Sequence, residues 1–220
     1  KQADTLKFQL SDDKYEMSTL YEDKIKRMGN AGRNGGEYYT PRSLIRAMIE
    51  VVNPQVGETV YDPAVGSAGF LCECYDFMMS QRDSLSTTDL KTIQEDTFFG
   101  KEKNKLPFIV GTMNMILHGI SAPNIVRTNS LNENLRDVQE KDRYNIILAN
   151  PPFNDGEWSG DQLTEDIRWK YGIPPTSNAN FAWMQHIIHH LSPKGVGGCL
   201  NAGNHRGDDL KLDYKPTCVV

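Results

Sequence analysis

The residues best suited to chemistry in this chain are Asn150-Pro151-Pro152-Phe153. They follow an apolar run, Tyr144–Ala149, that reads as a buried strand. Two consecutive prolines remove backbone donors and fix φ, so the chain must leave a sheet there in a stiff turn. Asn150 precedes a proline and is held extended. The turn presents a carboxamide, a free carbonyl and an aromatic ring at the carboxyl end of a strand, the place where open α/β sheets bind ligands. Its acceptors suit the N–H groups of a planar base with an exocyclic amine, and Phe153 suits the ring.

A second constellation precedes it. Tyr61-Asp62-Pro63-Ala64-Val65-Gly66-Ser67-Ala68-Gly69-Phe70 follows a short strand and opens a helix, the context of a dinucleotide fingerprint. The glycine pattern is not that fingerprint, because Ala68 interrupts it. Asp62 at the strand end repels a pyrophosphate and attracts an ammonium or sulfonium, while Gly66 and Gly69 let the backbone approach a ligand. A cationic, zwitterionic cofactor such as S-adenosylmethionine fits better than NAD. Glu102 ends the next strand, where an acidic group can accept from both ribose hydroxyls. The strand after that ends at Thr128-Asn129-Ser130-Leu131, placing the Asn129 carboxamide where it can meet an adenine edge. Asp62, Glu102 and Asn129 thus sit on three successive strand ends as one nucleoside pocket, with Asn150-Pro151-Pro152-Phe153 next in strand order.

The positioning elements alternate. A charged helix is expected over residues 15–28, then a glycine-rich break over 29–36. Thr40-Pro41 starts a helix with Pro41 at the first helical position, running to about Val52 with Leu44, Ile45, Met48, Ile49 and Val52 on one face. Strands are expected at 58–62, 97–100, 124–128 and 144–149, with helices at 70–81, 103–118 and 180–191. Residues 82–96 are polar and read as a short helix or an insertion, and 135–142 as a polar connection. Residues 154–179 form a long loop of the kind that is usually functional or disordered. Pro193-Lys194-Gly195 is expected to stop the last helix, with a short strand after it. This alternation implies a doubly wound, mostly parallel α/β sheet.

The bulk numbers bound the function. The chain has 220 residues with 38% hydrophobic content, ordinary for one globular domain. No run approaches the roughly 18 apolar residues of a membrane span, and nothing at the start resembles a signal peptide. A net charge of -5 argues against a stand-alone, charge-driven nucleic-acid binder but not against an enzyme whose partner supplies that affinity. Cys72, Cys74, Cys199 and Cys218 match no zinc or redox spacing and read as reduced, incidental thiols. His186, His189 and His190 lack a carboxylate at ligand spacing and read as surface or core residues. Trp158, Trp169 and Tyr171 suit either loop packing or contact with DNA or a partner. Lys24, Lys26, Arg27 and Arg33 read as a solvated helix face.

Six segments in one order resemble the amino-methyltransferases of DNA, most closely the modification subunit of type I restriction-modification systems: 36–42 (Gly-Glu-Tyr-Tyr-Thr-Pro-Arg), 62–70, 99–102 (Phe-Gly-Lys-Glu), 113–119, 150–153 and 178–186. The resemblance runs from about residue 20 to 198. It implies the Rossmann-like fold of S-adenosylmethionine-dependent methyltransferases behind a short helical N-terminal segment. The implied divisions are 1–35 (helical remnant and link), 36–200 (catalytic domain) and 201–220 (atypical polar tail). It implies that Asp62, Pro63, Gly66, Ser67, Gly69 and Phe70 hold the methionine part of the cofactor, with Tyr39, Thr40 and Pro41 closing over it. Glu102 would bind the ribose, and Asn129 and Leu131 would lie by the adenine. Asn150 and the Pro151 carbonyl would accept from the target amine of a flipped adenine, with Pro152 stiffening the turn and Phe153 stacking on the base. No metal is needed. The implied partners are DNA, a specificity subunit, a second modification subunit and a restriction subunit, in the cytoplasm and away from membranes.

The sequence departs from that family where Ala68 replaces a common glycine, where Asn129 replaces a common aspartate, and from Cys199 onward, where a polar stretch stands in place of an apolar strand. Two rival readings stand beside the first. One is a non-catalytic assembly module of the same system. The other is a methyltransferase of protein glutamine or RNA bases, since Asn-Pro-Pro-aromatic also suits planar amides.

Overall fold

The computed structural model describes Tyr21, Lys24 and residues 40–133, 143–201 and 215–219, with the backbone alone for 201 and 215–219. Tyr21 and Lys24 are helical, and the Tyr21 hydroxyl donates to the Val110 carbonyl at 3.3 Å. The rest of the helix expected at 15–28, the glycine-rich break, Tyr39 and the connection 135–142 lie outside the described residues.

The first helix, α1, is Arg42–Val52 and buries Ile45, Met48 and Ile49. Pro41 is not its first helical residue, as expected, but its N-cap, with ψ of 129°. That extended ψ points the Pro41 carbonyl at the helix, where it accepts from Leu44 and Ile45, the usual duty of an N-cap carbonyl. The elements that follow are β1 (Val60–Asp62), α2 (Gly69–Met79), a 3-10 turn at Arg82–Ser84 and α3 (Thr87–Glu95). Next come β2 (Phe98–Lys101), α4 (Lys105–His118), β3 (Asn124–Val126) and β4 (Tyr144–Ala149). The insertion at 82–96 is therefore mostly α3, which starts with a capping box between Ser86 and Asp89. A 3-10 turn at Gly160–Gln162 interrupts the long loop before α5 (Asn180–His190), β5 (Leu191–Asn201) and β6 (Lys215–Val219).

The sheet order is β3-β2-β1-β4-β5-β6, parallel throughout except for β6, which runs antiparallel to β5. The sequence order reverses between β1 and β4, which pair in register Val60↔Ile146 and Tyr61↔Ile147. That is the topological switch point, and ligand crevices of doubly wound sheets open at its carboxyl end. Asp62 and Asn150 end these two neighbouring strands.

Two expectations near the carboxyl end are corrected. The helix stops at His190, before Pro193, because Leu191 turns to an extended ψ of 138°. The strand that follows is long rather than short, and it contains Pro193. Tyr144 pairs with Leu191 but Ile146 already pairs with Val196. Four residues of β5 therefore face one of β4, and Pro193 lies in this bulge, where no ladder donor is required. Residues 215–219, in the segment read as a polar tail, pair with 197–201 of β5.

The loop from Pro63 to Ala68 rests on two glycines. A Cβ on Gly100 of β2 would meet Val65 Cγ2 at 2.3 Å, and a Cβ on Gly111 of α4 would meet the Gly66 carbonyl at 2.7 Å. One turn of α4, from Gly111 to Asn114, thereby sits against the loop backbone, and Asn114 Nδ2 donates to the Ser67 carbonyl at 2.9 Å. Among the described residues no helix is long and apolar enough to cross a membrane. Gly111→Ala should lower stability by about 1–3 kcal/mol through overpacking against backbone, read as a shifted denaturation midpoint; an unchanged midpoint would contradict this packing.

Candidate functional site

Asn150 stands at the centre. Its Nδ2 donates to Thr40 Oγ1 at 3.0 Å, which ties the end of β4 to the residue that precedes α1. Its Oδ1 is buried and has no hydrogen-bond partner. Asn150 lines both a cavity of about 440 Å3 and a small adjoining recess of about 20 Å3. A buried acceptor left unmatched is unfavourable, so this one is set for a donor arriving from outside the chain.

The turn beyond it is pinned at its far end. Phe153 is half-buried and packs on the main core while lining the large cavity. Asn154 takes a left-handed φ of 53°, which Asn tolerates better than most residues. Its N–H donates to Asn180 Oδ1 at 2.9 Å, and its Oδ1 accepts from Asn178 at 2.9 Å and Asn180 at 3.1 Å. The turn is thus fastened to the start of α5.

The recess is lined by Thr40, Asp62, Gly66, Ser67, Gly69, Phe70 and Asn150, with Ala64 and Val65. Asp62 is 1% exposed, and its Oδ1 accepts from Ala64 N–H at 2.9 Å. Burial pushes its carboxyl up to about 8; the Ala64 N–H opposes this and the charge of Glu102 adds to it. A carboxylate held so reluctantly ionised gains from a cationic neighbour. Glu102 is also buried and accepts from Gly66 N–H at 3.0 Å and Asn104 N–H at 2.7 Å. It therefore clamps the glycine loop, with lone pairs on both oxygens left for hydroxyl donors.

The large cavity is walled by Pro63, Glu102, Asn129, Leu131, Pro152 and Phe153, among others. Asn129 Oδ1 accepts from Leu131 N–H at 3.1 Å, and its amide nitrogen is available as a donor to a ligand beside the oxygen's second lone pair. Ser130 Oγ donates to the Pro63 carbonyl at 2.6 Å. The chain after β3 and the chain after β1 are therefore bound to one another.

Arg168 has no sequence signal, yet it braces this wall. It is 1% exposed. Its guanidinium donates to the Ser130 carbonyl at 2.9 Å, to the Leu131 carbonyl, and to both oxygens of Asp166. It also meets His186 Nδ1 at 2.9 Å. A lone arginine in a long polar loop carries no periodicity, so only the fold exposes its role. His186 and His190 are buried, and burial pushes both below the ordinary histidine range, His190 to about 4; the adjoining histidines, Arg168 and Lys101 add to this, while the His190 bond to the His186 carbonyl opposes it. They are core histidines. Trp158 and Trp169 pack edge to face at 6.0 Å, and both are buried, whereas Tyr171 is 69% exposed. Cys72, Cys74 and Cys199 are free and buried.

Of the residues expected at the site, Thr40, Asp62, Pro63, Gly66, Ser67, Gly69, Phe70, Glu102, Asn129, Leu131, Asn150, Pro152 and Phe153 line one or both spaces. Pro41 and Pro151 line neither. Pro41 caps α1, and Pro151 is buried in the turn. The donor set fits S-adenosylmethionine in kind: a buried carboxylate beside a glycine loop, a second acidic group, and an amide donor at the outer wall.

Two outcomes follow. Affinity for a cationic ligand in the recess should rise with pH below about 8 as Asp62 ionises, since binding must expel its proton. Titration calorimetry checks this, and Asp62→Asn should flatten the profile; a wild-type profile that is already flat would contradict it. Arg168→Ala leaves the Asp166 carboxylate buried and unpaired, so stability should fall by about 3–5 kcal/mol, measured by denaturant unfolding.

Comparison with known proteins agrees with this geometry. The family model described as N-6 DNA Methylase matches residues 12–205. The chain is 36% identical to the type I restriction enzyme HindI methylase subunit of Haemophilus influenzae, over 80% of this chain and 38% of that protein. It is 36% identical to the type I restriction enzyme EcoEI methylase subunit of Escherichia coli, over 94% of this chain and 41% of that protein. A solved modification subunit of a putative type I restriction enzyme from Vibrio vulnificus YJ016 superposes with a TM-score of 0.73 at 33% identity, covering 88% of this chain and 40% of that one. The chain spans about two fifths of the length of these relatives. It has the Rossmann-like α/β fold of S-adenosylmethionine-dependent methyltransferases and belongs to the N-6 DNA methylase family.

Proposed function

We propose that this chain is the catalytic core of an adenine-specific DNA methyltransferase, the modification subunit of a type I restriction-modification system. The observation that carries the reading is the buried, unmatched Oδ1 of Asn150, a residue that lines a space of nucleoside size at the switch point of the sheet. When bound, S-adenosylmethionine supplies an electrophilic sulfonium methyl group. Asp62 receives the cationic end of that cofactor, Glu102 accepts from its ribose hydroxyls, and the Asn129 amide donates to its adenine. Thr40 closes the recess while holding the Asn150 carboxamide in place. Tyr39 and Pro41 flank Thr40 and belong to the same closing segment.

The target amine is a poor nucleophile, because its lone pair is delocalised into the ring. Asn150 Oδ1 and the Pro151 carbonyl accept its two N–H groups. That favours a more tetrahedral nitrogen and directs the lone pair toward the methyl group. Phe153 stacks on the base after it leaves the duplex. Positioning supplies much of the rate, and Asn150 is an acceptor rather than a base. The net charge of -5 accords with DNA affinity supplied by a specificity subunit; the same reading has the chain assemble with a second modification subunit and a restriction subunit in the cytoplasm.

The test mixes the chain, with and without a cognate specificity subunit, with labelled S-adenosylmethionine and unmethylated DNA. Label should enter adenine N6 in the complex. Asn150→Ala should reduce transfer at least about 100-fold, the scale of losing one positioned group, while cofactor affinity stays within about twofold. Label found in glutamine or RNA, or equal loss of binding and transfer, would overturn the assignment.

A further inference from the structure

We propose that the chain holds a second ligand site, a cavity at the amino end of β4 that binds a phosphate monoester. It measures about 350 Å3, and its walls include Arg143, Lys170, Tyr171, Ile188, His189 and Ser192. Arg143 immediately precedes β4 and Asn150 immediately follows it, so the two cavities lie at opposite ends of one strand, roughly 20 Å apart at ~3.3 Å per residue.

The charge is one-sided. Among the described residues no Asp or Glu lines the cavity. Arg168 touches its wall, but that guanidinium is taken up by Asp166 and the carbonyls of Ser130 and Leu131. The uncompensated charge belongs to Arg143 and Lys170. Arg143 makes a long bond to the Leu191 carbonyl at 3.3 Å through one nitrogen, and Lys170 is exposed. His189 feels both: burial first, then Lys170, Arg143 and Arg168, hold it below the ordinary histidine range, with Asp166 opposing. It is therefore a neutral ring at neutral pH, with one nitrogen donating and one accepting.

Two lining residues also carry buried polar atoms without partners, His189 Nε2 and Ser192 Oγ. His189 is only 9% exposed. Unmatched buried groups in a cationic cavity call for a ligand that is anionic and rich in acceptors.

Phosphate meets this better than carboxylate. A phosphate monoester carries about -1.5 to -2 charge and three strong acceptor oxygens, matching two cations with the His189 and Ser192 groups beside them. A carboxylate brings one charge and two oxygens. The cavity is larger than a bare phosphate needs and falls in the range of small organic ligands, roughly 300–1,000 Å3. Ile188, Leu191 and Pro193 give that organic body an apolar wall, and the Tyr171 ring stands at the edge.

Phenyl phosphate, inorganic phosphate and benzoate distinguish the possible sources when titrated into the full chain and followed by amide chemical shifts. Phenyl phosphate should bind tightest and shift the amides of Lys170, His189 and Ser192, with inorganic phosphate weaker and benzoate weakest. The double variant Arg143→Gln, Lys170→Gln should weaken phenyl phosphate at least about tenfold, the worth of one charge-assisted hydrogen bond. Lys170→Gln alone, at an exposed position, should weaken it several-fold with folding intact. Asn150→Ala should leave this binding unchanged, which separates the site from the first cavity. No saturable binding up to roughly 10 mM, equal binding of benzoate, or full affinity in a folded double variant would overturn the proposal.

Discussion

The arrangement of this molecule turns on one unmade hydrogen bond. Asn150 gives its amide nitrogen to Thr40 and keeps its oxygen buried without a donor, a state that costs about 1–3 kcal/mol. The surrounding residues produce that state. Ala149 is held in the sheet against Cys199. The two prolines that follow cannot offer an N–H, so neither can satisfy the carboxamide. Thr40 enters from the segment before α1 and fixes which end of the amide faces the cavity. A ligand with an amine hydrogen removes the deficit, so the fold's own free energy favours binding.

Everything else at the site holds this group in register with a cofactor. The switch between β1 and β4 puts Asp62 and Asn150 side by side, one a buried carboxyl that ionises against a cation and the other an acceptor. The loop after β1 stays close because Gly100 and Gly111 leave room for it and Glu102 binds its Gly66 amide. The outer wall after β3 is braced by Arg168 from a loop far along the chain, which couples the cofactor side to the segment that follows the Asn-Pro-Pro-Phe turn. Asn154, Asn178 and Asn180 fasten the other side of that turn to α5. The site is thus a set of loops, each tied to a different rigid element.

Local chemistry made much of this legible in advance. The strand at Tyr144–Ala149 and the helix starting at Asn180 are strongly patterned, and they form with the expected bounds at β4 and at the start of α5. The turn after β4 follows from proline stereochemistry, and the glycine loop from its place between strand and helix. What stayed hidden depends on partners distant in sequence. Pro193 reads as a helix stop, but a bulge against β4 lets it lie within a strand. Thr40 and Asn150 are 110 residues apart, and no periodicity announces their bond. Arg168 and Asp166 form a buried pair inside a loop whose composition suggests solvent. The pairing of residues 215–219 with β5 could not be read from a polar stretch.

The most direct test of the central claim is a structure of the chain assembled with cofactor and a cognate DNA duplex. The account predicts the target base outside the helix, with its exocyclic nitrogen within about 3.2 Å of both Asn150 Oδ1 and the Pro151 carbonyl, and the Thr40 bond to Asn150 intact. A bound base whose amine points away from Asn150, or an Asn150 oxygen still without a donor in that complex, would contradict it.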